Sequence, residues 1–244
     1  MGSAATTLAW HAFPSPLDAL PLCSGRAASP LWTRLPGQTW LGAAASFLAM
    51  WGVMMMAMML PSLMPVLWRY RCAVRQAGGP CGDRLALRAG AGYFFVWMAL
   101  GATLYPLGAL WGAMRQHISA LGNVDPFAVG AVVLLAGAIQ SSRWKARHMT
   151  HCRHAPDAAD TLPANASAAW KLGLRLGKHC VCSCTGLTLM LLAMGAMNVG
   201  VMAVVTAIIT IERLAPQGQR LARASGLGMV ATALFLLAQA RPLA

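Results

Sequence analysis

The sequence predicts an all-α fold: a polytopic helical membrane protein with about five transmembrane helices. Of its 244 residues, 58% are hydrophobic and only 10% are charged, whereas soluble domains carry about 25% charged residues. The few charges gather in short basic segments and leave long uncharged runs between them. This composition excludes a disordered chain, a small disulfide-rich secreted protein and most water-soluble enzymes.

The uncharged runs define five predicted spans. A helix needs about 20 apolar residues to cross about 30 Å of hydrocarbon, so the third and fifth runs, of 17 residues each, are near the lower limit. Trp40 and Trp68 flank the first span and are typical interfacial anchors. The predicted spans are residues 41–67, 89–114, 126–142, 183–211 and 224–240.

The fourth span lies in an uncharged interval of 33 residues. These are too few for two full crossings, which favours one tilted helix over about residues 183–211. Alternatively, Gly195, Asn198 and Gly200 break the interval into two half-helices or a re-entrant pair. That alternative reverses the side on which the chain leaves the membrane.

The distribution of Lys and Arg predicts the orientation. With the N-terminus outside, the predicted inside segments hold 13 Lys/Arg and the outside segments hold six, and cytoplasmic loops retain these residues. We therefore expect a protein of the bacterial cytoplasmic (inner) membrane with its N-terminus outside and its C-terminus inside. Residues 1–40 form an extracytoplasmic segment without a cleavable signal peptide. Residues 41–240 form a single transmembrane domain with a cytoplasmic Cys/His-containing loop at 143–182.

Composition also limits the partners and the chemistry. The formal net charge of +13 suits cytoplasmic loops beside anionic lipid headgroups, so the expected partner is the lipid bilayer and not nucleic acid. The sequence shows no paired carboxylates, phosphate-binding glycine loop or Ser/His/Asp arrangement, so we expect a protein that is not an enzyme. The six Asp and Glu all lie outside the predicted spans, which disfavours a proton-driven pump.

Histidine and cysteine concentrate in residues 148–184, which hold four of the six His and four of the seven Cys. A first cluster follows the third span. If that segment is helical, His148, His151 and Cys152 share one face, because they are spaced at i, i+3 and i+4. All three side chains are metal-ligand types, and they stand at the predicted cytoplasmic boundary.

The second cluster leads into the fourth span and contains Cys180, Cys182 and Cys184. On a helix, Cys180 and Cys184 face one way and Cys182 faces away. In an extended segment all three line up by alternation. Either geometry presents at least two thiolates.

Thiolates and imidazoles at one membrane face predict a soft-metal site. Thiolate and thioether ligands suit Cu(I), and mixed Cys/His sets also suit Zn(II), so copper is the favoured metal and zinc is the alternative. Such a function requires a metal-donor or metal-acceptor protein as partner. The predicted ligands are His148, Cys152, Cys180, Cys182 and Cys184, with His151, Met190 and Met194 as additional candidates.

Methionine is also enriched, with 16 residues in the chain. Met54, Met55, Met56, Met58 and Met59 stand in the first span, and the candidate ligands of the fourth span continue the helix that Cys184 begins. A row of thioethers is suited to passing Cu(I) along a helix. The alternative is that methionine fills gaps between apolar helices.

These motifs resemble a bacterial family of predicted metal-binding integral membrane proteins, some members of which are labelled copper chaperones. The resemblance covers about residues 45–230 and implies a helical membrane fold and the acquisition, storage or delivery of Cu(I). The matching stretches are residues 55–61 (MMAMMLP), 136–140 (AGAIQ), Lys145, Cys152-Arg153, Cys180 to Cys184, 195–198 (GAMN) and 212–216 (ERLAP).

The chain departs from the family pattern at two places. His148 stands where the family has the first Cys of a C-x-x-x-C pair, and Cys180-Val-Cys182-Ser-Cys184-Thr replaces a C-x-G-C-C-W motif. Cys152, Cys180 and Cys184 match the family, so His148 and Cys182 are rearranged ligands. A change from Cys to His need not abolish metal binding, but it leaves the identity of the metal open.

Two further functions are open from the sequence. One is a membrane thiol redox protein in which Cys180, Cys182 and Cys184 cycle between dithiol and disulfide, although the chain lacks the C-x-x-C spacing of thioredoxin-like motifs. The other is a non-catalytic membrane subunit whose cysteines have no chemical role. Metal binding distinguishes the copper hypothesis from both.

Overall fold

The computed structural model describes residues 39–76, 82–117, 125–153, 165–194 and 199–239. These residues form seven helices and no strand, which confirms the predicted all-α class. Residues 1–38 of the predicted N-terminal segment lie outside the described residues. The helices are α1 (Trp40–Gln76), α2 (Gly82–His117), α3 (Asp125–Ser141), α4 (Arg143–Arg153), α5 (Ala166–Met194), α6 (Val199–Leu214) and α7 (Gly218–Gln239).

Four helices are long and apolar enough to cross a membrane: α1, α2, α5 and α7. The apolar part of α3, Val129–Ser141, is shorter, in line with the short third run in the sequence. α1 has 37 residues and continues through Pro61 and Pro65 into the basic segment beyond. Apolar runs of this length fold as helices because a helix satisfies its own backbone hydrogen bonds inside lipid.

Polar side chains mark where α4 and α5 begin. Ser142 accepts a hydrogen bond from the backbone N–H of Lys145 at 3.3 Å, and Asn165 accepts one from Ala168 at 2.8 Å. Both are N-cap contacts, which satisfy backbone donors that have no partner within the helix. The segment 143–182, predicted as a loop between spans, is therefore largely helical in its described part: it contains α4 and the first half of α5.

The prediction of one helix over residues 183–211 is wrong. α5 ends at Met194 and α6 begins at Val199, and Arg213 near the end of α6 lies 3.4 Å from the Cys184 sulfur in α5. One continuous helix would hold these two residues about 43 Å apart, at 1.5 Å per residue. The chain reverses between α5 and α6, as in the alternative with a broken interval. The length argument failed because α6 has only 16 residues, too few for a full crossing, and packs against α1, α5 and α7.

Glycines let α2 and α5 approach closely. A Cβ atom added at Gly173 would overlap the backbone oxygen of Ala89, and one at Gly177 would lie 2.8 Å from the backbone oxygen of Tyr93. Small residues at a helix contact of this kind bring two backbones together in a membrane. The contact holds Tyr93 of α2 beside α5.

The reversal gathers the basic segments at one end of the bundle, which we call the basic end. Arg213 of α6 contacts Ser62 in the second half of α1, while Glu212 contacts Gln140 at the end of α3 and Ser225 near the start of α7. The sequence segments that join helices at this end hold five, seven and three Lys/Arg, or 15 of the 19 in the chain. These segments are residues 69–88, 143–178 and 213–223.

Candidate metal centre

α5 turns two of its three clustered thiols into the core. The exposed fraction is 0% for Cys180 and 3% for Cys184, since residues four apart share one face of a helix. Cys182 is half-buried on another face of α5. The helical alternative is therefore the observed one, and the three thiols do not line up.

Arg213 of α6 contacts both buried thiols with one nitrogen. Its Nη2 donates to Cys180 Sγ at 2.7 Å and to Cys184 Sγ at 3.4 Å. The same nitrogen donates to Ser183 Oγ at 3.2 Å, and Nη1 donates to Ser62 Oγ at 3.3 Å. Because the guanidinium is planar and permanently charged, it fixes the two sulfurs and sets a positive charge against them.

Tyr93 and Met59 complete this arrangement from α2 and α1. The Tyr93 hydroxyl donates to Cys180 Sγ at 2.8 Å, and Met59 Sδ lies 3.9 Å from the same sulfur. Both side chains are buried, with exposed fractions of 1% and 0%. We call Met59, Tyr93, Cys180, Cys184 and Arg213 the thiol cluster. Four helices contribute to it, so its geometry depends on the packing of the whole bundle.

A second polar cluster is built on the residue before Arg213. Glu212 Oε2 lies 2.5 Å from Lys145 Nζ, and Glu212 Oε1 accepts hydrogen bonds from Gln140 Nε2 at 2.7 Å and Ser225 Oγ at 2.8 Å. Gln140, Lys145 and Glu212 are all buried. We call these four residues the ion-pair cluster.

The burial of Glu212 was not expected, since the six Asp and Glu all lie outside the predicted spans. The sequence argument treated Lys145 and Glu212 as borders of spans, because an isolated charge is very costly to bury. In the structure each charge compensates the other, and two hydrogen bonds satisfy the second carboxylate oxygen. A paired and hydrogen-bonded carboxylate is the form in which burial is tolerated.

The predicted ligand His148 meets His179 and not the thiols. The two Nδ1 atoms lie 3.0 Å apart, and both side chains are half-buried. Trp144 packs edge-on against His148, with ring centroids 4.8 Å apart. We call His148 and His179 the histidine pair; it joins α4 to α5 at the basic end.

Of the four remaining predicted ligands, the structure describes only the side chain of Met190. Met190 is half-buried against the core. Among the described residues, no three His, Cys, Asp or Glu side chains lie close enough together to hold one metal ion, so His148, Cys180 and Cys184 do not share a single point. The ligand assignments stay predictions. The side chains of His151, Cys152 and Met194 lie outside the described residues.

The chain matches a family model over most of its length. Residues 48–236 match the model PpoB2, described as "Copper chaperone". The chain belongs to this family. Its function is accordingly related to copper, as the resemblance implied. No curated protein and no solved structure matches the chain.

The thiol cluster offers a member of the copper chaperone family suitable donors for its cargo. Cys180 and Cys184 supply two thiols, which lose their protons when they bind a metal, and Met59 supplies a thioether. Soft sulfur donors of these two kinds select Cu(I). Two thiols and one thioether therefore supply donors of the kind that Cu(I) prefers.

Sequence analysis did not identify Met59, Tyr93 and Arg213 as neighbours of the thiols. Tyr93 and Cys180 are 87 residues apart in the chain, and no local pattern links them. Arg213 does belong to the stretch 212–216, which carries part of the family resemblance. The family resemblance of that stretch was the only indication in the sequence that Glu212 and Arg213 do more than mark the end of a predicted span.

Proposed function

We propose that this chain is an integral membrane copper-binding protein that holds Cu(I) between Cys180 and Cys184. The observation that carries the proposal is that both thiols are buried and contact one nitrogen of Arg213, at 2.7 and 3.4 Å. Two thiols held on one point are prepared to bind one ion, because little rearrangement is needed. Met59 adds a third soft donor.

The charges around the site favour a monovalent metal over zinc, which was the alternative. Two metal-bound thiolates carry two negative charges and Arg213 carries one positive charge, while Lys145 and Glu212 compensate each other. Cu(I) brings this sum to zero. Zn(II) leaves one positive charge in the interior, where uncompensated charge is costly.

We place the protein in the bacterial cytoplasmic membrane, with the basic end facing the cytoplasm. The positive-inside rule supports this orientation, because 15 of the 19 Lys/Arg belong to the segments at that end. α1 begins and α7 ends at the other end, so in this proposal Trp40 and Gln239 both lie on the extracytoplasmic side, whereas the sequence predicts a cytoplasmic C-terminus. A reporter fused after Gln239 that behaved as cytoplasmic would contradict the orientation.

Its role in this proposal is to acquire, store or deliver Cu(I) without chemical turnover. Exchange with a metal-donor or metal-acceptor protein needs a site with few ligands, because the partner's ligands must enter before those of the chaperone leave. A centre of two thiolates and one thioether meets that need. The lipid bilayer is the other partner in this proposal and surrounds the helices.

The test is the copper content of protein purified without oxygen from cells grown with copper. We expect near-stoichiometric copper in the wild type, and in Cys180→Ser/Cys184→Ser an affinity for Cu(I) at least about 100-fold lower, because hydroxyls are poor ligands for this soft ion. Cys72→Ser is the matched control, since Cys72 is a half-buried free thiol of α1 outside the cluster. A double variant that binds Cu(I) as tightly as the wild type does, or a wild type that holds no copper, overturns the proposal.

Arg213 variants test the charge argument in the same preparation. Arg213→Gln keeps amide donors but removes the charge, so we expect the preference for Cu(I) over Zn(II) to fall by about tenfold or more, since the zinc-loaded site then becomes neutral. Arg213→Lys keeps the charge and is expected to keep the preference. An unchanged preference in Arg213→Gln contradicts the charge argument and leaves the thiol assignment standing.

The two buried thiols also make a redox role the second candidate. Cys180 and Cys184 both contact Arg213 Nη2, so a disulfide between them is the reaction to look for. Thiol titration after mild oxidation distinguishes the functions: a reversible loss of two thiols in protein that binds no copper supports the redox role. Protection of those thiols by Cu(I) supports the copper role.

A further inference from the structure

Helix α4 lies against α5 and brings two imidazoles together. Lys145 and Met149 face the bundle and are each 2% exposed, which fixes α4 in place. His148, on the same helix, thereby reaches His179 of α5, with the Nδ1 atoms 3.0 Å apart. The edge-on contact with Trp144 restricts the His148 ring from the other side.

We propose that His148 and His179 form a second copper site, separate from the thiol cluster, through which Cu(I) enters the protein. This inference rests on the proposed function, because it names the route to the buried thiols. Two neutral imidazoles whose nitrogens converge are common donors for copper. In the metal-free protein one of these two nitrogens donates its hydrogen to the other; when an ion binds, that ring takes the neutral tautomer with its hydrogen on Nε2, so no proton is lost.

Exposure distinguishes the two sites. The histidine pair is half-buried at the basic end, whereas Cys180 and Cys184 are 0% and 3% exposed. An incoming copper carrier can therefore reach the histidine pair but not the thiols. His179 and Cys180 are consecutive residues of α5, so the two sites adjoin along the helix.

Ligand chemistry gives the route its direction. Cu(I) prefers thiolates to imidazoles, so an ion on the histidine pair moves inward. Its bonds to two imidazole nitrogens break as bonds to two thiolate sulfurs form, and the thiol protons are released to water at the basic end. Copper stays Cu(I) throughout, so the transfer needs no oxidant or reductant.

The first experiment asks whether the histidine pair binds a metal when the thiols are absent. Cu(II) is added to the Cys180→Ser/Cys184→Ser protein, and electron paramagnetic resonance counts the nitrogen ligands. We expect two nitrogen donors, and the loss of this signal when His148→Asn or His179→Asn is added. Asparagine keeps a hydrogen-bonding side chain in place, so folding is retained. His117→Asn is the matched control, because His117 ends α2 away from the basic end.

The second experiment measures how fast Cu(I) reaches the thiols. In His179→Asn, with the thiols intact, we expect loading into a chelator-resistant state to be at least tenfold slower, with the same final amount of copper. Equal loading rates in wild type and His179→Asn, or an unchanged nitrogen signal in both histidine variants, overturn the histidine site. Neither result bears on the thiol assignment, which fails if the cysteine variants keep the wild-type affinity for Cu(I) or if the wild type holds no copper.

Discussion

Glu212 and Arg213 are neighbours in the chain, yet they belong to two clusters in which a buried charge is compensated in different ways. In the ion-pair cluster, Glu212 meets the opposite charge of Lys145 together with two hydrogen-bond donors. In the thiol cluster, the charge of Arg213 meets two sulfurs, which become negative when they bind a metal. The charges of the first cluster balance each other within the protein. The second becomes electrically balanced when a monovalent cation arrives, which is why we assign stability to the first and cargo to the second.

The largest effect is expected from breaking the ion-pair cluster alone. Glu212→Gln leaves the Lys145 charge buried without its partner, so we expect the free energy of unfolding to fall by about 3–5 kcal/mol. Denaturant unfolding in detergent micelles, followed by tryptophan fluorescence, measures this loss. Protein that remains folded is expected to bind Cu(I) as tightly as the wild type does.

A double variant sharpens the same comparison. Lys145→Met/Glu212→Leu replaces both charges with apolar groups of similar size, which is often neutral or stabilising for a buried pair. We expect stability to recover to near that of the wild type. A double variant that stays folded but loses copper would show that the ion-pair cluster takes part in binding, and the division of roles between the clusters would then be wrong.

An intermediate effect is expected at the contact between α2 and α5, which carry Tyr93 and the two thiols. Gly173→Ala forces its new methyl group against the backbone of Ala89 and pushes α2 away from α5, at a cost of about 1–3 kcal/mol in stability. Because Tyr93 moves with α2, weaker Cu(I) binding is expected as well. Gly228→Ala is the matched control: nothing lies within 4 Å of the added atom, and helix propensity improves. Equal losses of stability and Cu(I) binding in both variants would show that the close contact between α2 and α5 does not cause them.

The smallest effect is expected at the third clustered thiol. Cys182 lies on another face of α5 from Cys180 and Cys184, so Cys182→Ser is expected to change the Cu(I) affinity by less than about twofold. Chelator competition measures the affinity. A large loss would restore Cys182 to the ligand set that the sequence predicts and would mean that α5 rearranges when copper binds.

The sequence predicted four of the seven described helices, but not how the helices are arranged. Runs without charged residues predict α1, α2, α3 and α7, because the hydrocarbon of a bilayer accepts few charges. The break between α5 and α6 was only the alternative to one tilted helix, since glycines such as Gly195 and Gly200 also occur inside membrane helices and mark a reversal only together with packing. α1 continues through Pro61 and Pro65, although proline often ends or kinks a helix.

The candidate site was predictable in its chemistry and only partly in its geometry. Helical spacing separates Cys180 and Cys184 from Cys182, as the structure has them. The sequence did not predict Arg213 as part of the site. Because a buried charge is costly, an Arg is interpreted as the end of a membrane span, and the two thiols that Arg213 contacts lie 29 and 33 residues away in the chain. The pairing of His148 with His179 depends on how α4 docks, which no periodicity reveals.

The reversal between α5 and α6 also has a consequence for how the chain enters the membrane. In the proposed orientation, α5 and α6 insert as a pair whose two ends remain on the side of synthesis. Arg213, Arg220 and Arg223 then never cross the hydrocarbon, where each would cost about 2.5–3.5 kcal/mol at the centre. A single long helix would have carried all three to the far side. The break in the helix thus keeps three arginines out of the hydrocarbon during insertion. It leaves Arg213 on the side of the membrane where it contacts Cys180 and Cys184.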